Sequence, residues 1–366
     1  MESQYPHLQK KWDRPLSGTA RPRPAAWTRL YLHFVDDKTP SLFGRSEQTD
    51  EQYGDTLPAV IPSSFVYQGD CEAFLDHTIA TGQRFDLVLS SPPYNIGKAY
   101  NSYRDRRALD EYLEWQRRII TKCVRCIPET GSLCWQTGNY VRDGQIIPLD
   151  MEMAPIFKDL GLQLRNRVIW AFGHGLHCKR RFSGRYETIL WFTKSDRYKF
   201  NLDPVRVPSK YPGKKHFHGA KRGQLSCNPL GKNPSDVWET EEGGAIGDFW
   251  RIPHVGHNHC EKTPHPCQFP LGLVKRFIEA LTDEGDAVFD PFLGAGTTAA
   301  AAALLKRRFY GCELNPAFLA IARERIEAGA TGNLRYRDPD KPIFQPPATK
   351  RSAASESSTL LLPLPG

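Results

Sequence analysis

A short proline-containing loop carries the residue types best suited to chemistry in this 366-residue chain. The loop consists of Ser91, Pro92, Pro93 and Tyr94, and it follows the apolar run Phe85–Leu89, which predicts a buried strand. Because each proline fixes φ and lacks an N–H group, the carbonyls before them have no helix or ladder to join and can accept hydrogen bonds in a cleft. With the Ser91 hydroxyl and the Tyr94 ring, the loop suits a flat ring that carries an exocyclic amine, such as a nucleobase. For the Pro-Pro-Tyr triplet alone, a plain turn is the alternative.

A glycine-containing loop about two hundred residues later has the composition of a cofactor-binding turn. The apolar run Ala287–Asp290 leads through Phe292, Gly294 and Gly296 into an alanine-rich helix. Glycine lets a ligand approach the backbone closely, and the first turn of the helix offers unpaired N–H groups to a polar cofactor. The next strand ends at Glu313, and in a doubly wound sheet a carboxylate at that position accepts hydrogen bonds from ribose hydroxyls.

Together the two loops resemble those of the DNA amino-methyltransferases, which use S-adenosyl-L-methionine and carry a Ser/Asp/Asn-Pro-Pro-Tyr motif and a Phe-x-Gly-x-Gly motif. Both motifs are intact, at residues 91–94 and 292–296, and the similarity spans roughly residues 65 to 328. Their order, with the catalytic motif first, is that of the permuted β group. The resemblance implies an α/β protein with a doubly wound, mostly parallel sheet, a Rossmann-like methyltransferase fold with circularly permuted motif order and an inserted target-recognition region.

Chain length supports the same order of strands. After Glu313 only one helical stretch, Pro316–Glu327, precedes a polar tail, so the strands that flank the glycine-loop strand must come from the N-terminal half. Because a parallel sheet is buried on both faces, segments far apart in sequence then complete one domain. Both loops are expected at carboxyl ends of strands, the side on which open α/β sheets bind ligands.

The resemblance also implies roles for individual residues. The predicted catalytic residues are Ser91, Pro92, Pro93 and Tyr94: the Ser91 Oγ and the Pro92 carbonyl accept the amine hydrogens, and Tyr94 stacks on the flipped base. Ten residues are predicted to bind S-adenosyl-L-methionine: Asp70, Ser90, His265, Asp290, Phe292, Gly294, Gly296, Thr297, Glu313 and Asn315. Among them Glu313 is placed on the ribose and Asp70 on the adenine amine, although Asp70 could equally be the N-cap of the following helix.

Basic residues interleaved with aromatic residues fill the interval between Lys194 and His259, where regular periodicity disappears. Cations neutralise phosphates and amide or aromatic groups read bases, so this interval is predicted to recognise DNA, with a solvated basic loop as the alternative. The predicted DNA-binding residues here are Lys210, Lys214, Lys215, Lys221 and Arg222. A second predicted DNA-contacting loop, near the flipped nucleotide, contains Lys179, Arg180, Arg181 and Arg185.

The predicted organisation has five segments. These are an N-terminal extension of low regularity (1–60), the catalytic half of the methyltransferase domain (61–194), the target-recognition insertion (195–260), the cofactor-binding half (261–328) and a disordered tail (329–366). Periodicity predicts strands at 65–70, 85–90, 132–135, 167–170, 187–192, 287–290 and 309–312. It predicts helices after 70 to 79, at 112–127, 149–160, 270–282, after 296 to 305, and at 316–327.

Bulk properties agree with this interpretation. The formal net charge of +8 favours an anionic partner, here double-stranded DNA. No run of about 18 apolar residues exists, so no membrane span is expected, and a cytoplasmic, nucleoid-associated protein is predicted. The nine cysteines have no disulfide framework, and neither Cys123–Cys126 nor the His and Cys residues of 254–267 match a standard zinc spacing, so no metal is predicted.

Several alternatives stay open from sequence. Serine at the first motif position favours cytosine N4 as the methylated amine, with adenine N6 as the alternative. Gly294, Gly296 and Ala299 with Glu313 also fit a dinucleotide fingerprint, so an NAD-type oxidoreductase is a remoter possibility, as is a non-catalytic DNA-binding module. A cognate restriction endonuclease in a restriction-modification system is compatible with the sequence, as is a monomer or a homodimer.

Overall fold

The computed structural model describes residues 52–337, apart from 99, 101–104, 173–176, 210, 236, 239–251, 253 and 257–258, and for 237–238 it describes the backbone alone. Most of the predicted N-terminal extension, most of the predicted tail and the predicted DNA-binding residue Lys210 therefore lie outside the described residues. Within the described part, no helix has both the length and the apolar character needed to cross a membrane.

A nine-stranded sheet forms the centre of the described structure, in the order β1-β2-β11-β10-β3-β4-β8-β7-β9. Only β8 runs antiparallel to its neighbours among these strands. The bounds are β1 Tyr53–Gly54, β2 Phe65–Gln68, β3 Leu87–Ser90, β4 Ser132–Thr137, β7 Gln163–Ala171, β8 Tyr186–Thr193, β9 Val237–Trp238, β10 Ala287–Asp290 and β11 Arg308–Glu313. A separate hairpin consists of β5 Asn139–Arg142 and β6 Gln145–Pro148.

Helices cover both faces of this sheet. They are α1 Cys71–Thr81, α2 Leu109–Cys126, α3 Leu149–Asp159, α4 Leu271–Leu281, α5 Thr297–Leu304 and α6 Pro316–Ala330. One apolar core contains side chains of α1, α2 and α3, and the other contains side chains of α4, α5 and α6. Strands β3, β4 and β10 are buried along their whole length, as expected for central strands covered on both faces. The predicted doubly wound α/β fold is confirmed.

The pairing of β3 with β10 brings the two sequence loops together. Leu87 pairs with Val288 and Val88 with Phe289, in parallel register. The chain leaves β10 for β11 on one side and leaves β3 for β4 on the other, so the boundary between them is the point where the strand order reverses. Ligand crevices in open α/β sheets lie at the carboxyl ends of strands at such a point.

The predicted elements are present with ends shifted by a few residues, and the described part of the chain contains four further strands that periodicity did not indicate. Strand β1 lies inside the predicted extension 1–60, and β9 lies inside the interval predicted to be irregular. Each has two residues, too few to show a period. The β5–β6 hairpin turns at Asp143 and Gly144, both with positive φ, and Asp-Gly is a known signal for such a turn.

Candidate active site

A cavity of about 510 Å³ opens at the carboxyl edge of the central strands. Ser91 and Gly294 both line it, although about two hundred residues separate them in the chain. Its wall therefore contains the proline loop after β3 and the glycine loop after β10. The side chains at the strand ends also connect, because Ser90 Oγ donates a 2.5 Å hydrogen bond to Asp290 Oδ1.

The proline loop is held by its own side chains. Ser91 Oγ lies 3.0 Å from Tyr94 Oη, and Tyr112 Oη donates to the Pro93 carbonyl at 2.8 Å. Asn95, which has φ of 61°, receives support from the Asp105 carboxylate, which accepts from the Asn95 N–H at 2.8 Å. The loop is thus fixed before any ligand arrives, and the Pro93 carbonyl is already engaged by a protein donor.

A carboxylate from β8 orders the hydroxyl groups of this loop. Glu187 Oε2 accepts hydrogen bonds from Tyr94 Oη at 3.1 Å and from Gln136 Nε2 at 2.6 Å. Since Tyr94 donates its proton to Glu187, Ser91 donates to Tyr94 Oη, which leaves the lone pairs of Ser91 Oγ available as acceptors. Ser91 is one of the residues that line the cavity. Desolvation raises the pKa of both Glu187 and Tyr94 above their ordinary values.

The glycine loop is shaped by close contacts that only glycine permits. Gly294 has φ of 54°, and a Cβ added there would lie 2.8 Å from His265 Nε2. Gly296 has φ of 74°, and a Cβ there would lie 2.6 Å from the Ala322 Cβ. Such contacts are shorter than nonbonded carbon atoms tolerate, so the loop conformation depends on the absence of side chains. Burial of His265 lowers its pKa to about 4, so its imidazole is neutral near pH 7.

Glu313 connects the end of β11 to the glycine loop. Its Oε2 accepts from the Gly294 N–H at 2.9 Å and its Oε1 accepts from the Asn315 N–H at 2.7 Å. Burial raises the pKa of this carboxyl, and the two backbone N–H groups act in the opposite direction. Each carboxylate oxygen retains a lone pair for a ligand donor, and Glu313 lines the cavity.

Asp290, at the end of β10, lies behind the cavity wall. Its carboxylate accepts from Ser90 Oγ, from the Phe292 N–H at 3.0 Å and from Thr298 Oγ1 at 2.7 Å. Complete burial raises its pKa to about 6, while the three donors favour the ionised form. These bonds join β3, β10 and α5, so Asp290 fixes the two loops relative to each other.

The structure divides the ten predicted cofactor-binding residues into two groups. Asp70, His265, Phe292, Gly294 and Glu313 line the cavity. The other five are buried and are not among the residues that line the cavity: Ser90, Asp290, Gly296, Thr297 and Asn315. The four that have side chains, Ser90, Asp290, Thr297 and Asn315, form hydrogen bonds with other groups of the protein. For example, Arg325 Nη1 donates to Thr297 Oγ1 at 2.8 Å, and Asn315 Oδ1 accepts from the Ala317 N–H as the N-cap of α6.

Asp70 lies at the start of α1 and at the cavity wall. Its Oδ1 accepts from the Glu72 N–H at 2.6 Å, so it is the N-cap of α1. It is also one of the residues that line the cavity. The four predicted catalytic residues, Ser91, Pro92, Pro93 and Tyr94, all line the same cavity.

Sequence reasoning missed much of the cavity wall. The additional lining residues include Trp115, Gln136, Trp170, Phe172, Glu187 and His254. Glu187 carried a usable signal, because it is a charged residue at the start of the apolar run Thr188–Phe192. In a strand that is otherwise buried, a carboxylate at the end near the ligand edge indicates a site. Within the part of the chain that the structure describes, no group of His, Cys, Asp and Glu side chains could hold a metal ion.

Most of the predicted DNA-binding residues lie on the surface. The exposed ones are Lys179, Arg180, Arg181, Lys214, Lys215, Lys221 and Arg222, and Arg185 is half-buried. The loop that contains Arg185 joins β7 to β8, and both strands contribute lining residues, Trp170 and Glu187, to the cavity. Surface cations are thus present beside the opening and in the interval after β8.

Comparison with known proteins extends these observations. Residues 85–324 match the family model described as DNA methylase, N6_N4_Mtase. The chain is 47% identical over 298 residues to the type II methyltransferase M.BglII of Bacillus subtilis, covering 78% of this chain and 77% of that protein. It is 35% identical over 257 residues to the type II methyltransferase M.ScaI of Streptomyces caespitosus, covering 68% of this chain and 77% of the relative.

Solved structures share the fold. The PvuII DNA methyltransferase, described as cytosine-N4-specific, has a TM-score of 0.51 at 18% identity and covers 75% of this chain and 94% of its own. A candidate DNA modification methylase from Thermus thermophilus, complexed with S-adenosyl-L-methionine, has a TM-score of 0.50 at 24% identity, with 74% and 95% covered. At these identities the likeness establishes the architecture alone.

Proposed function

Because the chain belongs to the N6/N4 DNA methylase family, whose members transfer a methyl group from S-adenosyl-L-methionine to an exocyclic amine of DNA, we propose that its target is the N4 amine of cytosine. The observation that supports this choice is Ser91, a neutral hydroxyl at the first position of the catalytic motif, held as an acceptor by Tyr94 and Glu187. Adenine N6 is the second candidate. It is supported by a relative from Escherichia coli K12, named DNA adenine methyltransferase YhdJ, which is 28% identical over 269 residues.

The amine of a base in a duplex is stacked and paired, so the base must first be extruded, at a cost of a few kcal/mol. In our proposal the Tyr94 ring stacks on the extruded base and offsets part of that cost. Ser91 Oγ and the Pro92 carbonyl accept the two amine hydrogens, which draws the nitrogen toward a tetrahedral geometry and frees its lone pair. The principal contribution of the chain is therefore alignment of the nucleophile.

The cavity residues fit the groups of S-adenosyl-L-methionine. When bound, this cofactor supplies a methyl group that is attached to a positively charged sulfur. After transfer of the methyl group, the sulfur is left as a neutral thioether. Glu313 and Asp70 are carboxylate acceptors of the kind that ribose hydroxyls and an adenine amine require, and Phe292 offers an apolar face. Neutral His265 adds no positive charge next to the sulfonium. We assign these four residues to cofactor binding.

Two further parts of the proposal concern the DNA and the cellular context. Residues 195–260 act as the target-recognition insertion. They connect β8 to α4, they contribute His254 and Val255 to the cavity wall, and they present four cations to solvent: Lys214, Lys215, Lys221 and Arg222. The type II methyltransferase names of the relatives support a cognate restriction endonuclease as a partner. Methylation-sensitive sequencing of DNA from cells that express the chain would reveal the recognised sequence.

A product assay tests the target base. Unmethylated duplex DNA is incubated with the protein and isotopically labelled cofactor, digested to nucleosides and analysed by mass spectrometry. We expect labelled N4-methylcytosine, and N6-methyladenine as the labelled product would overturn the choice.

Ser91→Ala should lower the rate of methyl transfer at least about a hundredfold, because an aligned acceptor is lost, while cofactor affinity measured by calorimetry stays unchanged. Tyr94→Phe keeps the stacking ring and the Ser91 acceptor but removes the hydroxyl that orients Ser91, so we expect a smaller loss of methyl transfer than for Ser91→Ala.

A further inference from the structure

Phe182 is almost completely exposed, with 99% of its surface accessible to solvent. In the described part of the chain, the next most exposed large apolar residue is Val60, at 81%. It lies in the loop between β7 and β8. A single exposed apolar side chain is common on protein surfaces and needs no explanation by itself. The surroundings of Phe182 are what make it informative.

The loop projects from the edge of the sheet at which the cavity opens. Strand β8 runs antiparallel to β4, and Thr188 pairs with Thr137 at the carboxyl end of β4. The start of β8 therefore lies at the carboxyl edge of the parallel strands. The base of the loop is closed there, since the Phe172 N–H donates to the Arg185 carbonyl at 2.8 Å, and Phe172 itself lines the cavity. Phe182 is three residues from Arg185, so its Cα lies within about 11 Å of that rim.

The tip of this loop has a definite composition. The Cys178 N–H donates to Ser183 Oγ at 3.1 Å, which closes a short turn. The residues between these two are Lys179, Arg180, Arg181 and Phe182, and all four are exposed. The turn thus presents three cations and one aromatic ring at its surface. Cations bind phosphates, and an exposed aromatic ring is stabilised when it leaves water and stacks on a base.

We propose that Phe182 enters the base stack of duplex DNA at the target position and occupies the space that the extruded base leaves, while Lys179, Arg180 and Arg181 bind the flanking phosphates. This inference rests on the base extrusion in the proposed function. Its physical advantage is that the unstacking cost is reduced by a side chain already positioned at the cavity rim, in the way that inserted apolar side chains stabilise opened base steps in other complexes. The partner is therefore the duplex DNA substrate.

The test compares two duplexes that contain the recognised sequence once it has been mapped. In one the target base is paired, and in the other it lies opposite an abasic position, which removes most of the cost of extrusion. Phe182→Ala should lower kcat/KM about tenfold or more on the paired duplex, equivalent to about 1.4 kcal/mol, and less than about threefold on the abasic duplex. Phe182→Trp should retain activity on both, because it keeps an aromatic ring.

Two controls separate this role from general DNA binding. Arg181→Ala should weaken activity on both duplexes alike and reduce the salt dependence of binding. Phe217→Ala removes another exposed aromatic ring, 71% accessible, beside Lys214 and Lys215, and should not distinguish the two duplexes. Equal activity of Phe182→Ala and wild type on the paired duplex, or an equal loss on both duplexes, would overturn the inference. Failure of the wild type to methylate DNA would instead contradict the proposed function.

Discussion

The cavity wall that we propose holds the cofactor (the cofactor side) and the surface that we propose binds DNA (the DNA-facing surface) are built in opposite ways. On the cofactor side, Asp290 is buried and Glu313 is half-buried, and each accepts at least two protein hydrogen bonds. On the DNA-facing surface, Lys214, Lys215 and Arg181 are exposed cations. A small cofactor must be held to within a fraction of an ångström, whereas phosphates along a duplex can be neutralised by flexible charges. In our proposal the fold therefore fixes the orientation of the methyl donor, and adaptable contacts supply the affinity for DNA.

The fixed side carries a cost in charge burial. Desolvation raises the pKa of Asp290 to about 6 and raises the pKa of Glu313 and Glu187 above the ordinary range for carboxyl groups. A raised pKa in the folded state means that the ionised form is less stable there than in the unfolded chain. The three carboxylates therefore reduce the free energy of unfolding near pH 7. Their hydrogen bonds hold the loop residues in place. Substitutions on the cofactor side should therefore change cofactor affinity or kcat, whereas substitutions on the DNA-facing surface should change duplex affinity and its salt dependence.

The largest effect is expected for Gly296→Ala on the fixed side. A left-handed φ costs an alanine about 1–2 kcal/mol, and the contact with Ala322 at 2.6 Å adds about 1–3 kcal/mol more because backbone atoms must shift. We expect cofactor binding in a calorimeter to fall at least a hundredfold. Gly82→Ala is the matched control, since Gly82 has the same φ of 74° and a Cβ there meets nothing within 4 Å. Equal behaviour of the two variants would show that the glycine loop is not sterically constrained.

The sequence predicted the fold and the position of the two motif loops on the cofactor side, because both loops follow buried parallel strands. A parallel strand followed by a motif loop has a local signature, and the rule that ligands lie at carboxyl ends of strands placed Ser91 and Gly294 at one cavity. The contact of Glu187 with Tyr94 could not be predicted, because it depends on the antiparallel pairing of β8 with β4, which is nonlocal in the sequence. Motif membership also did not reveal that Asp290 holds the loop from behind the wall.

The second largest effect is expected for Glu187→Gln, which tests whether hydrogen-bond direction in the catalytic loop matters. A glutamine can donate to Tyr94 Oη, which would turn the Tyr94 and Ser91 hydroxyls and remove the acceptor from the cavity. We expect kcat to fall about 10–100-fold, as for other losses of alignment, with cofactor affinity unchanged. A fall in cofactor affinity with kcat retained would show that Glu187 belongs to the cofactor side instead.

Glu187 also predicts opposite effects of pH on activity and stability. Burial raises its pKa, so in the wild type the carboxylate is lost as pH falls through that raised value, and kcat should decline there. Stability should change the other way, because the folded state binds the proton more tightly than the unfolded chain and gains stability as pH falls. In Glu187→Gln both dependences should be weaker. Rate profiles and urea unfolding across mildly acidic pH would measure them together.

A smaller effect on cofactor affinity is expected at Asp70, whose side chain caps α1 and, in our proposal, also binds the cofactor. Asp70→Ala should lower the free energy of unfolding by about 1 kcal/mol, because α1 loses its N-cap, whereas Asp70→Ser keeps a capping oxygen and most of that stability. If the carboxylate also accepts from the cofactor, both variants should lose about tenfold in affinity, the equivalent of one charge-assisted hydrogen bond. Cofactor binding by Asp70→Ser at the wild-type level would leave Asp70 with the capping role alone.

The smallest effect is expected on the adaptable side, for Lys215→Ala. Removing one phosphate contact should lower duplex affinity severalfold and reduce the slope of log affinity against log salt concentration by roughly 0.9. Cofactor affinity should not change, since Lys215 is exposed and is not among the residues that line the cavity. Lys306→Ala is the control of equal charge: Lys306 precedes β11 and therefore lies at the amino edge of the parallel strands, away from the cavity. If both variants changed the slope equally, DNA binding would depend on net charge rather than on the interval after β8, and the contrast between the two sides would not extend to the recognition of DNA.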